Sequence, residues 1–384
     1  MAVPKSTSSL DLPSVLFEAD QTMREALLSD PDFAEVQRSF VSADPPPKRL
    51  RRQLLERTSR ITPRMAPGLY RLIAESAGAL GLDAKQIDVF CFQDPDIKAF
   101  ALPPDRRRLT LAFANGTLER LTDGELRFVI GHELGHALSN HLELNAEFIR
   151  GDQRLAPIHK MRFFAWLRYA ELSADRLGML ACGDFDTAIR ALFKMTSGLC
   201  DPRFLQHLPE AAAQYTVLEA ETMESFEEDW FSTHPYSPLR MRALGLFSQS
   251  RRYHELTRKP SSRALLSEAQ LERQVAEVIE LMNPTFLHRR SPRLKEAQRF
   301  IELACQVMRG DEPIDCLDEL SEPLKVGLSA VRRQKIVEDV VSVALSKDQP
   351  SDQQHDLLEE VAGRLQVDRT FVDAAIARLL RGLD

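Results

Sequence analysis

The chain has 384 residues, of which 43% are hydrophobic and 28% charged, and its net charge is −7 at neutral pH. That length and composition are those of a folded protein large enough for two or three domains, and they exclude a disordered or collagen-like chain. The acidic balance argues against a dedicated nucleic-acid binder, and the longest apolar windows, near 128–138 and 163–172, are interrupted by His132, Glu133 and Arg168, so no membrane span is expected.

The N-terminus carries one lysine and no apolar run of secretory type, and the five cysteines are odd in number and far apart, with no C-x-x-C pair. These features point to reduced thiols in a cytoplasmic protein. Residues 1–62 read as a helical lead-in. Within it, Ser42-Ala-Asp-Pro-Pro-Pro47 reads as a linker, because consecutive prolines disfavour helix, and Lys48–Arg60 reads as a basic, solvated helix face.

An amphipathic helix is expected over 63–82, followed by a strand in which Ile87, Val89 and Cys91 alternate with Phe90 and Phe92. Ala99-Phe100-Ala101-Leu102 and Leu109–Ala114 are two further strands, joined as a hairpin through Asp105–Arg108, and Asn115-Gly116 is a turn signal. Thr122 and Glu125 form a capping box that starts a helix running to about His141. Long helices are expected over Pro157–Cys182 and Asp184–Lys194, then an irregular stretch over 198–232 with an acidic run from Glu219 to Asp229. From residue 263 onward every segment has helical periodicity: 264–282, 293–308, 317–346, 352–365 and 369–382. The expected division is a lead-in over 1–62, a central domain over 63–250 and an all-helical domain over 263–384. No repeat of fixed period is visible.

The chemistry is concentrated in His132-Glu133-Leu134-Gly135-His136. Residues four apart on a helix share a face, so the two imidazoles can hold one metal ion, and Glu133 in the adjoining sector can reach a water on that ion. The neighbours Phe128-Val-Ile130 and Ala137-Leu138 make this a buried helix, where three polar groups need partners. A third ligand is required to leave one position open. Glu171, on the second long helix, is the best candidate, and Asp175 one turn later can accept the N–H of a ligand histidine and set its tautomer. His141, five residues past His136, is expected to point away from the ligands. Phe163, Phe164 and Trp166 read as core, and Tyr236 as a donor near the site.

HELGH followed by ELSADRLG, together with Ser232-Thr-His-Pro235, Arg240 and the strand Ala99–Leu102, resembles the HtpX / CAAX-prenyl-protease family of gluzincin metallopeptidases over about residues 85–245. The resemblance implies an α+β fold that is predominantly helical, with a small mixed sheet and an active-site helix. It implies one Zn²⁺ per chain on His132, His136 and Glu171, with Glu133 as base and Asp175 behind the ligands. His234 would stabilise the oxyanion and Arg240 would support the site. Ala99, Phe100 and Ala101 would form the strand beside which a protein or peptide substrate lies. Lys98 stands where family members often have Asn, and the flanking membrane helices of the namesake enzymes are missing. Segments 335–380 resemble the TerB-like helical fold. The implied function is a soluble zinc endopeptidase; the roughly 200 residues outside the matched core add the expectation that accessory helices gate the cleft and that the C-terminal domain docks a regulatory partner. The competing reading is a zinc-retaining adaptor or chaperone-like protein without turnover.

Overall fold

The structure is a computed structural model that describes residues 10–42, 46–105, 108–143, 146, 149, 155, 157–206, 208–222, 232–260, 264–282, 295–328, 330–345 and 350–381. In chain order the elements are α1 (Glu18–Leu28), α2 (Pro31–Ser42), α3 (Pro46–Arg57), β1 (Ser59–Ile61), α4 (Pro67–Ala79), β2 (Ile87–Phe92), β3 (Ala99–Asp105), β4 (Arg108–Ala114), α5 (Asn115–Arg120), α6 (Asp123–Leu138), α7 (Pro157–Cys182), α8 (Phe185–Ser197), α9 (Leu208–Thr222), α10 (Ser237–Ser248), α11 (Arg251–Thr257) and α12 (Glu268–Ile279). They are followed by α13 (Lys295–Arg309), α14 (Asp318–Gly327), α15 (Ala330–Ala344), α16 (Asp352–Arg364) and α17 (Arg369–Arg381). The fold is predominantly helical α+β with one small mixed sheet, as expected.

The sheet has the order β1-β2-β4-β3. β2 and β4 are parallel, in register from Ile87 beside Leu109 to Phe92 beside Ala114, while β1 and β3 run antiparallel to their neighbours. β3 is therefore an edge strand. One face of the sheet, through Val89, Leu111 and Phe113, joins the main core with α4, α6 and the second half of α7. On the other face, Phe90, Leu102 and Ala112 are covered by Leu54 of α3. The alternation read in β2 is thus real, but both of its faces are apolar because both are covered.

Several local expectations are corrected. α3 starts at Pro46, inside the proline run, because a helix's first turn has no internal acceptor for its N–H groups and so tolerates proline. Asn115-Gly116 opens the short helix α5 rather than a turn: Asn115 is spent on the Asp94 N–H at 2.9 Å, and a Cβ on Gly116 would lie 2.3 Å from the Pro95 carbonyl oxygen. The stretch 198–232 is not wholly irregular, since α9 occupies Leu208–Thr222 and contains the start of the acidic run. The rest of that run, 223–229, lies outside the described residues. The segment 317–346 is two helices, α14 and α15. The capping box at the head of α6 forms as read.

Two further packing facts position the site. α12 buries Leu271, Val275, Val278 and Ile279 in the main core. Its Glu272 takes the guanidinium of Arg176 from α7 at 2.8 Å and the Glu18 N–H at 2.8 Å. The first half of α7 (Met161, Phe163, Phe164, Trp166) instead shares a second core with Leu27, Phe33 and Val36 of the N-terminal region and with α13–α17, including Phe300, Val340, Leu358 and Val372. α7 therefore belongs to both cores, and Glu171 sits close to the junction.

Candidate metal centre

The site is built on the seam between α6 and α7. This seam is unusually close because it is lined with small residues. A Cβ on Gly131 would lie 2.3 Å from the Ala181 Cβ, one on Gly178 would lie 2.8 Å from the Phe128 carbonyl oxygen, and one on Gly135 would meet Leu177 at 3.1 Å. Only glycine allows the backbones to approach this far. The reward is that side chains of ordinary length from α7 reach the histidine face of α6.

His132, His136 and Glu171 converge there. The two Nε2 atoms are 3.1 Å apart, and the Glu171 carboxylate lies 3.2 Å from His136 Nε2 and 3.5 Å from His132 Nε2. Among the described residues, this is one of three His/Asp/Glu groups whose ligand atoms lie close enough to share an ion, and in it His132 and Glu171 are buried. The other two, Asp30/Asp32/His159 and His355/Asp356/Glu359, are partly exposed.

The hydrogen-bond pattern decides what such a site needs. Asp175 Oδ1 accepts the Nδ1–H of His132 at 3.0 Å. His141 donates its Nε2–H to Asp20 Oδ2 at 3.0 Å, so a neutral His141 can only accept at Nδ1, and it does so from His136 Nδ1–H at 3.0 Å. Burial pulls the His141 pKa down, against the pull of Asp20, which favours that neutral ring. Both Nε2 atoms then carry lone pairs that face each other and a carboxylate. Glu171 Oε2 is buried and has no hydrogen-bond partner. Two imidazole lone pairs and a carboxylate converge here with, among the described residues, only Arg240 Nη1 as a cation beside them, at 3.3 Å from Oε2, and two imidazoles with one carboxylate are the donor set of a catalytic zinc site. The residues present therefore fit a zinc ion.

The electrostatics agree. Burial pushes the Glu171 carboxyl up, but the neighbouring His234 ring, Arg240 guanidinium and His132 ring outweigh it and hold the group well below the usual carboxylate range. Burial also acts downward on His136, yet the carboxylate of Glu171 beside its Nε2 raises its pKa. Arg240 grips Asp175 from behind and its Nη1 lies 3.3 Å from Glu171 Oε2.

The remaining expected residues lie around this cluster. Glu133 accepts the Ala101 N–H at 2.8 Å, so the edge strand β3 runs directly over α6. Ala99 and Ala101 share a side of the strand, and Phe100 is half-exposed against Phe92, with ring centroids 5.5 Å apart. His234 stands at the mouth, its side chain 63% exposed and its Nε2 3.5 Å from Glu171 Oε1. Its loop is tied down by the buried Arg168, which donates to the Ser232 carbonyl at 2.9 Å, and Thr233 Oγ1 lies 2.7 Å from His234 Nδ1. Tyr236 is partly buried against the main core. Phe163, Phe164 and Trp166 are fully buried.

The expectation for His141 is wrong, for a local reason. Helix α6 ends at Leu138, and Asn140 adopts a left-handed φ of 58° that turns the chain back, bringing His141 against His136 instead of onto the next helical face. Asp20, its partner, could not be found from the sequence, since it lies 121 residues away with no spacing signal.

Comparison with known proteins places this geometry in a family. The model of "Peptidase family M48" matches residues 63–160 and 152–246. The chain is 26% identical over 212 residues to the "Plastoglobule-localized metallopeptidase 48, chloroplastic" of Arabidopsis thaliana, a match covering 51% of this chain and 61% of that protein. It is also 26% identical to the "Protease HtpX homolog" of Ralstonia nicotianae, covering 49% of this chain and 76% of the relative, and to that of Bacillus subtilis, covering 45% and 66%. The chain thus spans about six-tenths of the plastoglobule relative. No solved structure matches it significantly. Among the described residues no helix is long and apolar enough to cross a membrane. Over residues 63–246 the chain belongs to peptidase family M48, as an HtpX-like member.

Proposed function

We propose that this protein is a zinc endopeptidase that hydrolyses peptide bonds in protein substrates, with one Zn²⁺ per chain held by His132, His136 and Glu171. The observation that carries this reading is the convergence of two imidazole nitrogens and a buried carboxylate on one point. Bound there, zinc supplies Lewis acidity and a water whose pKa falls to about 7.

The chain's own groups do the rest. Glu133 is the base: one oxygen is fixed by the Ala101 N–H, and the other takes the attacking water's proton and later passes it to the leaving amine. His234, exposed at the mouth, donates a hydrogen bond to the oxygen that becomes negative. Asp175 and Arg240 hold His132 and Glu171 in place. The substrate adds as a strand beside β3, pairing its main chain with the outward groups of Ala99 and with the Ala101 carbonyl, the Ala101 N–H being held by Glu133, while Phe100 offers an apolar contact. Recognition through main-chain atoms tolerates many side chains, which suits a quality-control protease as well as a processing one.

The N-terminal helices and α13–α17, which over 335–380 resemble the TerB-like fold, are the parts proposed to regulate access and to dock a protein partner, with the central peptidase domain at 63–250. Cytoplasmic residence belongs to the same proposal and rests on the five free cysteines. The test is digestion of an unfolded protein mixture by the full chain, with fragments identified by mass spectrometry, beside Glu133→Gln. New peptide termini from the parent and none from the variant, at equal zinc content, support the reading. Cleavage at parental rate by Glu133→Gln would remove Glu133 as base, and zinc binding without any cleavage would favour the adaptor.

A further inference from the structure

We propose that His141 and Asp20 are a positioning pair that fixes His136 as a metal ligand, so that helix α1, which lies outside the residues matched to the family, is a working part of the metal centre. The inference deepens the zinc-site reading above and rests on it.

The two ligand histidines are oriented from behind by different parts of the chain. His132 is served by Asp175, one turn beyond Glu171 on α7. His136 is served by His141, and His141 in turn by Asp20 on α1. Asp20 is 1% exposed and its carboxylate meets three donors: His141 Nε2–H at 3.0 Å and Ser173 Oγ–H at 2.6 Å on Oδ2, and Trp166 Nε1–H at 3.0 Å on Oδ1. Facing a carboxylate that can only accept, His141 must donate from Nε2, so in the neutral ring its Nδ1 accepts. Trp166 also stands edge-on to His141, with ring centroids 5.8 Å apart and planes at 83°, which sets the plane of the ring. The consequence passes to His136, whose Nδ1–H is held and whose Nε2 lone pair is aimed at His132 and Glu171.

Ser173 closes the connection. It lies two residues past Glu171 and accepts the Phe17 N–H at 3.0 Å while donating to Asp20. The segment that enters α1 is therefore bonded to the helix that carries the third ligand and, through His141, to the second. A carboxylate placed merely to satisfy buried donors would not need the acceptor nitrogen of its histidine to meet a ligand ring. Asp175 is already shared between His132 and Arg240, and His141, itself within the family-matched residues, takes its own carboxylate partner from α1 outside them.

The test uses the full chain and measures the zinc dissociation constant by chelator competition, together with the visible spectrum of the Co²⁺-substituted protein. His141→Leu removes the acceptor, and Asp20→Asn sets an amide N–H against one of the three donors whichever way it turns. Each is expected to weaken zinc by about 10–100-fold and to shift the cobalt bands, the usual effect of losing a ligand's outer partner. His141→Asn, whose side-chain oxygen lies near the place of Nδ1 and accepts, is expected to recover most of the affinity. A second measurement needs no variant: ¹⁵N resonances of the histidines in the zinc-loaded parent should show His141 protonated at Nε2 and His136 at Nδ1. The proposal is overturned if His141→Leu and Asp20→Asn bind zinc as the parent does while His132→Ala does not, if His141→Asn and His141→Leu weaken it equally, or if His141 carries its proton on Nδ1. A parent that binds no zinc, or binds it equally well as His132→Ala, overturns the zinc site itself and this pair with it.

Discussion

Arg240 grips Asp175 through two guanidinium nitrogens, Nη2 at 2.6 Å and Nε at 2.8 Å, with both side chains buried. The oxygen that takes Nη2 is the same one that accepts the Nδ1–H of His132, and Nη1 reaches toward Glu171. One cation thus neutralises two buried carboxylates that stand behind and within the ligand set. Burial alone would lower the Arg240 pKa, and the charges of Asp175 and Glu171 raise it instead.

Removing that cation should be costly. Arg240→Ala leaves Asp175 and Glu171 without their counter-charge, and breaking a buried pair from one side costs about 3–5 kcal/mol. Arg240→Lys should rescue little, because an ammonium cannot reproduce the paired geometry. Urea unfolding of the metal-free chain checks both, and a loss below 1 kcal/mol for Arg240→Ala would mean that the pair is not buried as described.

The glycine seam gives a second prediction. In Gly131→Ala the new methyl would meet the Ala181 Cβ at 2.3 Å, so α6 and α7 must separate. Overpacking of this kind costs about 1–3 kcal/mol. The substitution touches no ligand, yet it should weaken zinc binding as well as lower the Tm, because Glu171 reaches the histidines only across that seam. Gly68→Ala is the control, since nothing lies within 4 Å of the position where its Cβ would stand. A Gly131→Ala chain with parental zinc affinity would show that the seam does not set the ligand distance.

Away from the metal, Asp88 on β2 is buried and accepts from Arg51 at 2.9 Å, Arg60 at 2.8 Å and Arg108 at 3.2 Å. Burial raises its pKa, but the bonds and charges of Arg51 and Arg60 outweigh that and leave it lowered. A carboxyl with a depressed folded-state pKa contributes stability above its unfolded value, near 3.9, and loses it as the pH falls through the folded one. Asp88→Asn should therefore cost about 1–3 kcal/mol at pH 7, and the gap between variant and parent should close as the pH is lowered below about 4. Denaturant unfolding at pH 7 and pH 3 measures it. A gap that is constant with pH would mean that the carboxylate's charge contributes nothing.

What could be read from the sequence was what a single helix or strand encodes. The spacing of His132 and His136, the capping box at Thr122, the alternation in β2 and the full extent of α7 depend on neighbours a few residues apart, and all are found. Glu171 was reachable because its own helix is marked by a second pattern, Glu171 to Asp175. Contacts between distant segments were not legible. Nothing local in Asp20 tells that it meets His141, or in Glu272 that α12 returns to pack on α7. The error at His141 came from extending a helix by periodicity through a residue, Asn140, that tolerates a left-handed backbone.

The most direct measurement is the zinc content of the purified chain after dialysis at trace free zinc, taken for the parent and for His132→Ala, His136→Ala and Glu171→Gln. We expect one zinc per parent chain and nearly none in each variant, with all four chains folded by circular dichroism. A parent without zinc, or a Glu171→Gln chain that retains the full equivalent, would contradict the three-ligand site.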